Sequence, residues 1–337
     1  MSGPPPDASA QIEAQADTFR QVVAHLRTQI GCVFVGQPAL VDHLLVAFFC
    51  RGHVLLEGPP GLGKTLLVRT LGEALDVKYS RIQCTPDLMP GDVTGTNILS
   101  ERPGGTREFV FQPGPIFANV VLADELNRAT PRTQAAFLEA MQERHVTVFG
   151  TTHPLDDPFA VFATQNPIEM EGTYPLPEAQ LDRFFFKLTV KMPDIADLAE
   201  ILARTTGTQD ARATAGFGAA TVREMGDLIK QVVVADPALQ LALRIVRATH
   251  PDTSDAPPQV KKYVRYGASP RAAQAIILAA KAVALLAGRY HASADDVRLV
   301  VRPALNHRLI RNFHGEMEQI SVEAITQSIL EAVPEGS

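Results

Sequence analysis

The run Gly58-Pro59-Pro60-Gly61-Leu62-Gly63-Lys64-Thr65 fits the phosphate-binding spacing G-x-x-x-x-G-K-[ST] at every fixed position, and the apolar run Val54-Leu55-Leu56 leads into it. A polyphosphate needs several N–H donors on a concave backbone, so glycines must let the loop turn tightly, and a helix beginning near Lys64 adds its positive end. In such a loop the lysine reaches the β and γ phosphates and the hydroxyl of Thr65 holds Mg²⁺. Leu66, Leu67, Leu71 and Leu75 continue at helical spacing. These residues imply a site for a nucleoside triphosphate.

A second constellation is Asn119-Val120-Val121-Leu122-Ala123-Asp124-Glu125, an apolar strand that ends in two carboxylates about 60 residues after the loop. Opposite a phosphate loop, Asp124 can hold hydrated Mg²⁺ and Glu125 can polarise the attacking water. An apolar strand followed by Asp-Glu is by itself more often an ordinary strand end. Phe162-Ala163-Thr164-Gln165-Asn166-Pro167 brings Asn166 to the end of another strand, where its amide could orient water beside the γ phosphate or could simply open a turn before proline. Leu181-Asp182-Arg183-Phe184 puts a guanidinium before an apolar strand, with a surface ion pair to Asp182 or Glu178 as the alternative role. In Ser269-Pro270-Arg271, Ser269 reads as an N-cap and Pro270 as the first helical residue. Arg271 then occupies the positive end of a helix, which the macrodipole disfavours unless an anion lies close; a phosphate would serve.

The elements that must carry these groups follow from periodicity. Apolar positions at Phe19, Val22, Val23, Leu26 and Ile30 predict a helix over 12–30 closed by Gly31, and a second is expected from Pro38 to about Cys50. From there to Leu188 short apolar strands alternate with helices, the pattern of an α/β fold with a mostly parallel sheet covered on both faces. The strands expected are His53–Leu56, Tyr79–Gln83, Val120–Ala123, Phe159–Ala163 and Phe184–Leu188. Two hairpins interrupt the alternation, one over Asn97–Phe111 turning at Pro103-Gly104-Gly105 and one over Val146–Phe159 turning through Gly150 to Asp157. Beyond Pro193 the pattern is almost wholly helical, with helices expected near 195–205, 219–233, 270–287, 294–312 and 321–332. The division this suggests is a disordered tail over 1–10, an α/β nucleotide-binding domain over 11–192 and an all-α lid domain over 193–337.

With 337 residues, 46% of them apolar and 20% charged, the chain has the material for a large core. No apolar run approaches the length of a membrane span, and the Pro-rich start carries no signal-peptide pattern. Cys32, Cys50 and Cys84 lack metal-ligand spacing and read as buried free thiols of a reducing cytoplasm. The net charge of −6 divides into −7 over residues 1–190 and +1 over the rest, so neither part has the basic excess of a general duplex-DNA binder. Lys261, Lys262, Arg265 and Arg271 could form a local basic patch, although a solvated face explains the first three.

From Val35-Gly36-Gln37 to about Phe313 the chain resembles the MoxR-type AAA+ ATPases. The wording that carries the resemblance lies in Gln83-Cys84-Thr85-Pro86-Asp87-Leu88-Met89-Pro90-Gly91-Asp92, Gly114-Pro115-Ile116-Phe117, Ala123-Asp124-Glu125-Leu126-Asn127-Arg128-Ala129, and Thr173-Tyr174-Pro175-Leu176-Pro177-Glu178-Ala179-Gln180-Leu181-Asp182-Arg183-Phe184. Cys84 stands where an aromatic is common, and Leu126 where isoleucine is. The resemblance implies a P-loop core with a C-terminal all-α lid, ATP and Mg²⁺ as ligands, and a nucleotide site built from Gly36, Gln37, Gly58, Pro59, Pro60, Gly61, Leu62, Gly63, Lys64, Thr65 and Leu66. It casts Asn166 as the sensor-1 residue, Arg183 as the arginine finger and Arg271 as the sensor-2 arginine. It also implies a homo-oligomeric ring, commonly of six subunits with the nucleotide between neighbours, and chaperone-like remodelling or maturation of a client alongside a protein with a von Willebrand factor A domain, with the two hairpins turned toward the substrate. A DNA-acting motor and a nucleotide-gated scaffold with negligible hydrolysis are the alternatives; the acidic balance disfavours the first, and the presence of Glu125 and Arg183 the second.

Overall fold

The structure is a computed structural model, and it describes residues 6–101, 107–167, 172–207 and 212–334. Its centre is a five-stranded parallel sheet in the spatial order Phe186–Thr189, Val54–Glu57, Ala160–Gln165, Val120–Asp124, Tyr79–Gln83. All five expected strands are present, each within two residues of its anticipated ends.

Side chains along a strand alternate between faces, and this sheet uses both. Val54, Leu56, Val120, Leu122, Phe162 and Phe186 point into one hydrophobic core, which continues without a break into the C-terminal helices. Leu55, Val121, Ala123, Val161 and Ala163 point into a second core against Phe137, Leu138 and Phe159. The helix Lys64–Ala74 follows the phosphate loop and buries Leu67, Val68 and Leu71 in the first core. Pro131–Glu143, capped by the Thr130 hydroxyl, supplies Phe137 and Leu138 to the second.

The first helix differs from expectation at both ends. It spans Pro6–Val33, so it starts inside the stretch expected to be a disordered tail, and it runs through Gly31. Proline is well placed in a first turn, and the alanines that follow favour a helix. A Cβ on Gly31 would meet nothing within 4 Å, so this glycine is under no demand to end the helix. Its apolar stripe, Phe19, Val22, Val23, Leu26 and Ile30, is buried as the spacing predicts.

In the helical part, Ile195–Thr205, Ala219–Gln231, Pro270–Leu286 and Val322–Ala332 match the anticipated helices. The helix expected over 294–312 ends at Leu305 instead. Pro303 lies in its last turn, and the chain then turns into the short strand Ile310–Arg311, which pairs antiparallel with Val264–Tyr266. Helices at Asp236–Ala248, Pro258–Tyr263 and Phe313–Met317 are additional. Asp236–Ala248 buries Ala238, Leu241, Ala242, Ile245 and Ala248, a regular helical face opened by Asp236-Pro237, so this helix was legible from its spacing and was overlooked.

Both hairpins form. Gly95–Glu101 pairs antiparallel with Arg107–Pro113, and the turn anticipated at Pro103-Gly104-Gly105 lies outside the described residues. His145–Val148 pairs with Thr151–Pro154 around Phe149-Gly150, so the turn is far tighter than the Gly150–Asp157 passage expected. Both turn residues have positive φ, 48° and 81°, the handedness that suits a two-residue hairpin. The Phe111 and His153 rings stack at 3.7 Å, which ties one hairpin to the other. Of the three thiols only Cys84 is buried; Cys50 is half-buried and Cys32 exposed.

Candidate functional site

The phosphate loop leaves the C-terminal end of Val54–Glu57, the strand next to the edge strand Phe186–Thr189, and delivers the chain to the helix Lys64–Ala74. Gly61 and Gly63 have φ of 82° and 78°, the left-handed region in which an L side chain is strained. A Cβ at Gly58 would come within 2.6 Å of the Val190 carbonyl oxygen, so the loop can lie against the edge strand only with glycine there. Lys64 is 9% exposed, and its ammonium donates to the carbonyls of Gly58 and Pro59, folded across the loop it closes.

Asp124 and Thr65 meet directly: Thr65 Oγ1 donates to Asp124 Oδ2 at 3.0 Å. Two hard oxygen donors at this spacing beside a phosphate cradle fit Mg²⁺, which takes one or two protein oxygens and completes its shell with phosphates and water. Arg81 donates to the same Asp124 oxygen at 2.8 and 3.1 Å, so its guanidinium stands where a divalent charge would go. Thr164 Oγ1 donates to Asp124 Oδ1 at 2.6 Å and accepts from the Glu125 N–H at 2.8 Å, fixing the carboxylate pair from the neighbouring strand.

Glu125 has φ of 58°, a left-handed conformation that a non-glycine residue adopts only where its surroundings impose it. Its Oε2 accepts from Gln83 Nε2 at 3.2 Å and from Arg128 at 3.1 Å. Asn166 is buried just past the strand that ends at Gln165, whose carbonyl accepts the Gly58 N–H. The structure therefore brings Lys64, Thr65, Asp124, Glu125 and Asn166 to one end of the sheet. Buried Cys84, next to Gln83, has its thiol pushed up to about 12 by burial and by the charges of Asp124 and Glu125.

Beside the loop lies a cavity of about 330 Å³ lined by Val35, Gln37, Leu62, Leu66, Met192 and Leu198, with apolar walls that suit a nucleobase. Gly36 has φ of 77°, and a Cβ there would strike the Asp197 carboxylate. The Gln37 amide is engaged with the chain itself, donating to Lys191 O at 3.0 Å and accepting from Lys191 N at 2.9 Å. Its side chain thus closes the cavity by tying the loop before the second helix to the strand-to-lid crossing.

Arg183 and Arg271 are not with this group. Arg183 precedes the edge strand at its N-terminal end, where the Phe185 N–H donates to His53 O; the phosphate loop lies at the other end, beside Val190. Five residues of parallel strand separate the two levels, roughly 16 Å at the usual rise. Arg183 and Arg271 share a cavity of about 370 Å³ with Asp182, Gln274 and Arg308. Arg183 Nε is buried without a hydrogen-bond partner, and the Asp182 carboxylate pairs with Arg271 at 3.5 Å and with Arg308 at 2.9 Å instead. The anion that the Arg271 helix terminus calls for is thus present in the protein as Asp182.

Thr164, Arg81, Gln83, Arg128 and Arg308 were not singled out by sequence. Thr164 sits in the quoted strand, Arg128 in the quoted Asp124 motif and Gln83 at the head of the quoted Gln83–Asp92 motif, so position could have marked those three; nothing local marks the 126-residue separation between Arg308 and Asp182.

A 51432 strand order, a phosphate loop on the first strand, a carboxylate pair on the adjacent-but-one strand and a helical C-terminal part together define an AAA+ ATPase fold. The family model for the ATPase family associated with various cellular activities matches residues 53–186, and that for the AAA lid domain matches residues 258–329. The chain is 41% identical over 335 residues to Chaperone MoxR1 of Mycobacterium tuberculosis, covering 98% of this chain and 85% of that protein. It is 42% identical over 305 residues to the uncharacterized protein YeaC of Bacillus subtilis, covering 90% and 92%, and 30% identical over 339 residues to Protein MoxR of Methylorubrum extorquens, covering 96% and 97%. A crystal structure of a candidate ATPase from Cytophaga hutchinsonii superposes with a TM-score of 0.89 at 38% identity, covering 97% of this chain and 98% of that one. The chain belongs to the MoxR family of AAA+ ATPases.

Proposed function

We propose that this chain hydrolyses ATP with Mg²⁺ in a homo-oligomeric ring, six subunits being the count the family suggests, and uses the cycle for chaperone-like remodelling of partner proteins. The observation that carries the reading is the separation of the two groups of residues. Lys64, Thr65, Asp124, Glu125 and Asn166 lie at one end of the sheet, and Arg183 and Arg271 at the other, too far to serve the same phosphate within one chain. A head-to-tail neighbour brings the arginines of one copy to the loop of the next, and repetition of that contact closes a ring.

In this scheme the loop amides and Lys64 bind the β and γ phosphates, and the apolar cavity beside Leu62 takes the base. Thr65 and Asp124 would hold Mg²⁺, which when bound would supply positive charge against the phosphates. Glu125, released from Gln83 and Arg128, takes a proton from the attacking water while Asn166 orients it. The water oxygen bonds to the γ phosphorus as the bridging P–O bond breaks, and ADP leaves with the electron pair. Arg183 and Arg271 of the neighbouring copy stabilise the charge that spreads over the phosphoryl oxygens. A reduced cytoplasmic setting suits the three free thiols, and the described residues include no helix long and apolar enough to cross a membrane.

Turnover per chain measured over a wide dilution series tests the reading. A site shared between copies loses specific activity as copies separate, whereas constant turnover down to a monomeric protein by light scattering contradicts it. The same assay with duplex DNA tests the alternative of a DNA-acting motor, for which DNA stimulates turnover.

A further inference from the structure

Asp182, next to Arg183, is the meeting point of the two halves of the chain. Its carboxylate accepts the Ser269 hydroxyl at 2.8 Å on both oxygens, Arg308 Nε at 2.9 Å and Arg271 Nη1 at 3.5 Å. The Arg308 side chain is only 3% exposed, and beyond the carboxylate it donates to the carbonyls of Asp182, Phe184 and Phe185 at 3.1, 2.7 and 3.2 Å. His307 adds a bond from Nε2 to Phe184 O at 2.9 Å. Every carbonyl from 182 to 185 except that of Arg183 is thereby fixed by two consecutive residues of the lid.

The contacts differ in kind. Arg308 is buried with short bonds, and a buried guanidinium must keep its counter-charge. Arg271 is 48% exposed at the limit of hydrogen-bond length, so its hold on Asp182 can be exchanged for a stronger anion such as a phosphate. Five guanidiniums line one cavity and Asp182 is the one carboxylate in its lining; Arg51 pairs outside it with Asp227 and Asp157, and Arg144 donates to backbone carbonyls, which leaves Arg183, Arg271 and Arg308 around Asp182. Without Asp182 they would repel one another and the two exposed to the cavity would splay.

We propose that Asp182 is a positioning residue: bound permanently to Arg308 and Ser269 and releasably to Arg271, it locks the Arg183 turn to the lid, so that both arginines reach the neighbouring copy as one rigid fork. The proposal rests on the cross-subunit reading above. Lid movement in one subunit then alters the geometry of both arginines at the next subunit's phosphate.

The test compares Asp182→Asn, Ser269→Gly and Arg183→Ala, each alone and mixed with Lys64→Ala subunits, which have a defective pocket and an intact arginine face. Ser269→Gly removes the hydroxyl from Asp182 but keeps a residue acceptable as N-cap, and it decides the matter should Asp182→Asn fail to fold by thermal melt. Asp182→Asn should bind a fluorescent ATP analogue with unchanged Kd, turn over about tenfold more slowly or worse, the scale of a lost charged hydrogen bond, and recover in mixed rings as Arg183→Ala does. Ser269→Gly should show the same pattern with a smaller loss. Wild-type turnover in Asp182→Asn overturns the proposal. So does a loss of ATP binding that parallels the loss of turnover, or a defect that mixing leaves in place while Arg183→Ala recovers. Failure of Arg183→Ala itself to recover in rings shown to be mixed overturns the cross-subunit reading, and this proposal with it.

Discussion

At the scale of single residues, the site divides binding from chemistry between Lys64 and Glu125. Lys64 is the buried cation folded over the phosphate loop, so Lys64→Ala should abolish tight ATP binding, measured by equilibrium titration. Glu125 lies off the loop and is held in place by the Thr164 hydroxyl through its own N–H. Glu125→Gln should keep ATP affinity and slow hydrolysis at least ~100-fold, the usual scale for a lost general base; equal turnover would remove Glu125 from that role. What could be read here from sequence was the chemistry that must be contiguous: amides, lysine and hydroxyl on one phosphate tail. Arg81 and Thr164 escaped because a polar residue inside a strand has no distinctive local pattern, and its meaning comes only from the strand placed beside it. Arg271 was legible as a conflict with its helix dipole, yet the residue that resolves the conflict, Asp182, lies 89 positions away.

At the scale of elements, the sheet is tied to its covering helix by a histidine that stays neutral until well below its ordinary titration range. His53, just before the strand Val54–Glu57, accepts the Val161 N–H on Nδ1 at 3.0 Å and bonds Met141 O through Nε2 at 3.1 Å, which sets the neutral tautomer. Burial, reinforced by the charge of Arg144, lowers its pKa to about 3. The unfolded chain takes up this proton near the ordinary value of 6.5 and the folded chain does not until about 3, so stability falls as pH drops through that window. The slope from this one group is about 1.4 kcal/mol per pH unit. Buried His307, on Phe184 O, is shifted in the same direction by burial and adds to it. Denaturant unfolding at pH 7.5, 6 and 5 should show a steep acid loss, and His53→Asn should be less stable at pH 7.5 but lose stability less steeply; an unchanged slope would show that His53 titrates normally. The elements themselves were legible where apolar residues were large and regularly spaced. Two misreadings fell where the pattern carried less information: a helix running on past Leu305 in expectation only, and a turn whose first position is Phe149 ahead of Gly150; the helix Asp236–Ala248, with Leu241 and Ile245 at regular spacing, was legible and overlooked.

For the whole molecule, the resemblance to the MoxR-type ATPases suggests a partner protein with a von Willebrand factor A fold, and the hairpins offer it a testable contact. Such a fold presents Mg²⁺ with an open coordination position, which an exposed carboxylate of this chain can fill. Four were suitable by sequence: Glu101 and Glu108 in the first hairpin, Asp156 and Asp157 in the second as it was expected over Val146–Phe159. The structure narrows the choice. Asp157 lies beyond the hairpin and pairs with Arg51 at 3.5 Å, while Glu101 is exposed near the outer end of the first hairpin, among the exposed apolar side chains Leu99 and Phe109. An acidic group flanked by apolar surface gives a partner both a metal ligand and area to bury, so Glu101 is the better donor. The hairpins move together if the Phe111–His153 stack holds, which makes their presentation depend on the nucleotide-bearing core below them. Partner binding should strengthen with ATP, weaken several-fold with EDTA and weaken comparably in Glu101→Gln, with Asp157→Asn unchanged, measured by interferometry on the full chain. A partner that binds equally well in EDTA and to Glu101→Gln would rule out the metal bridge and leave the apolar face of the hairpin as its contact.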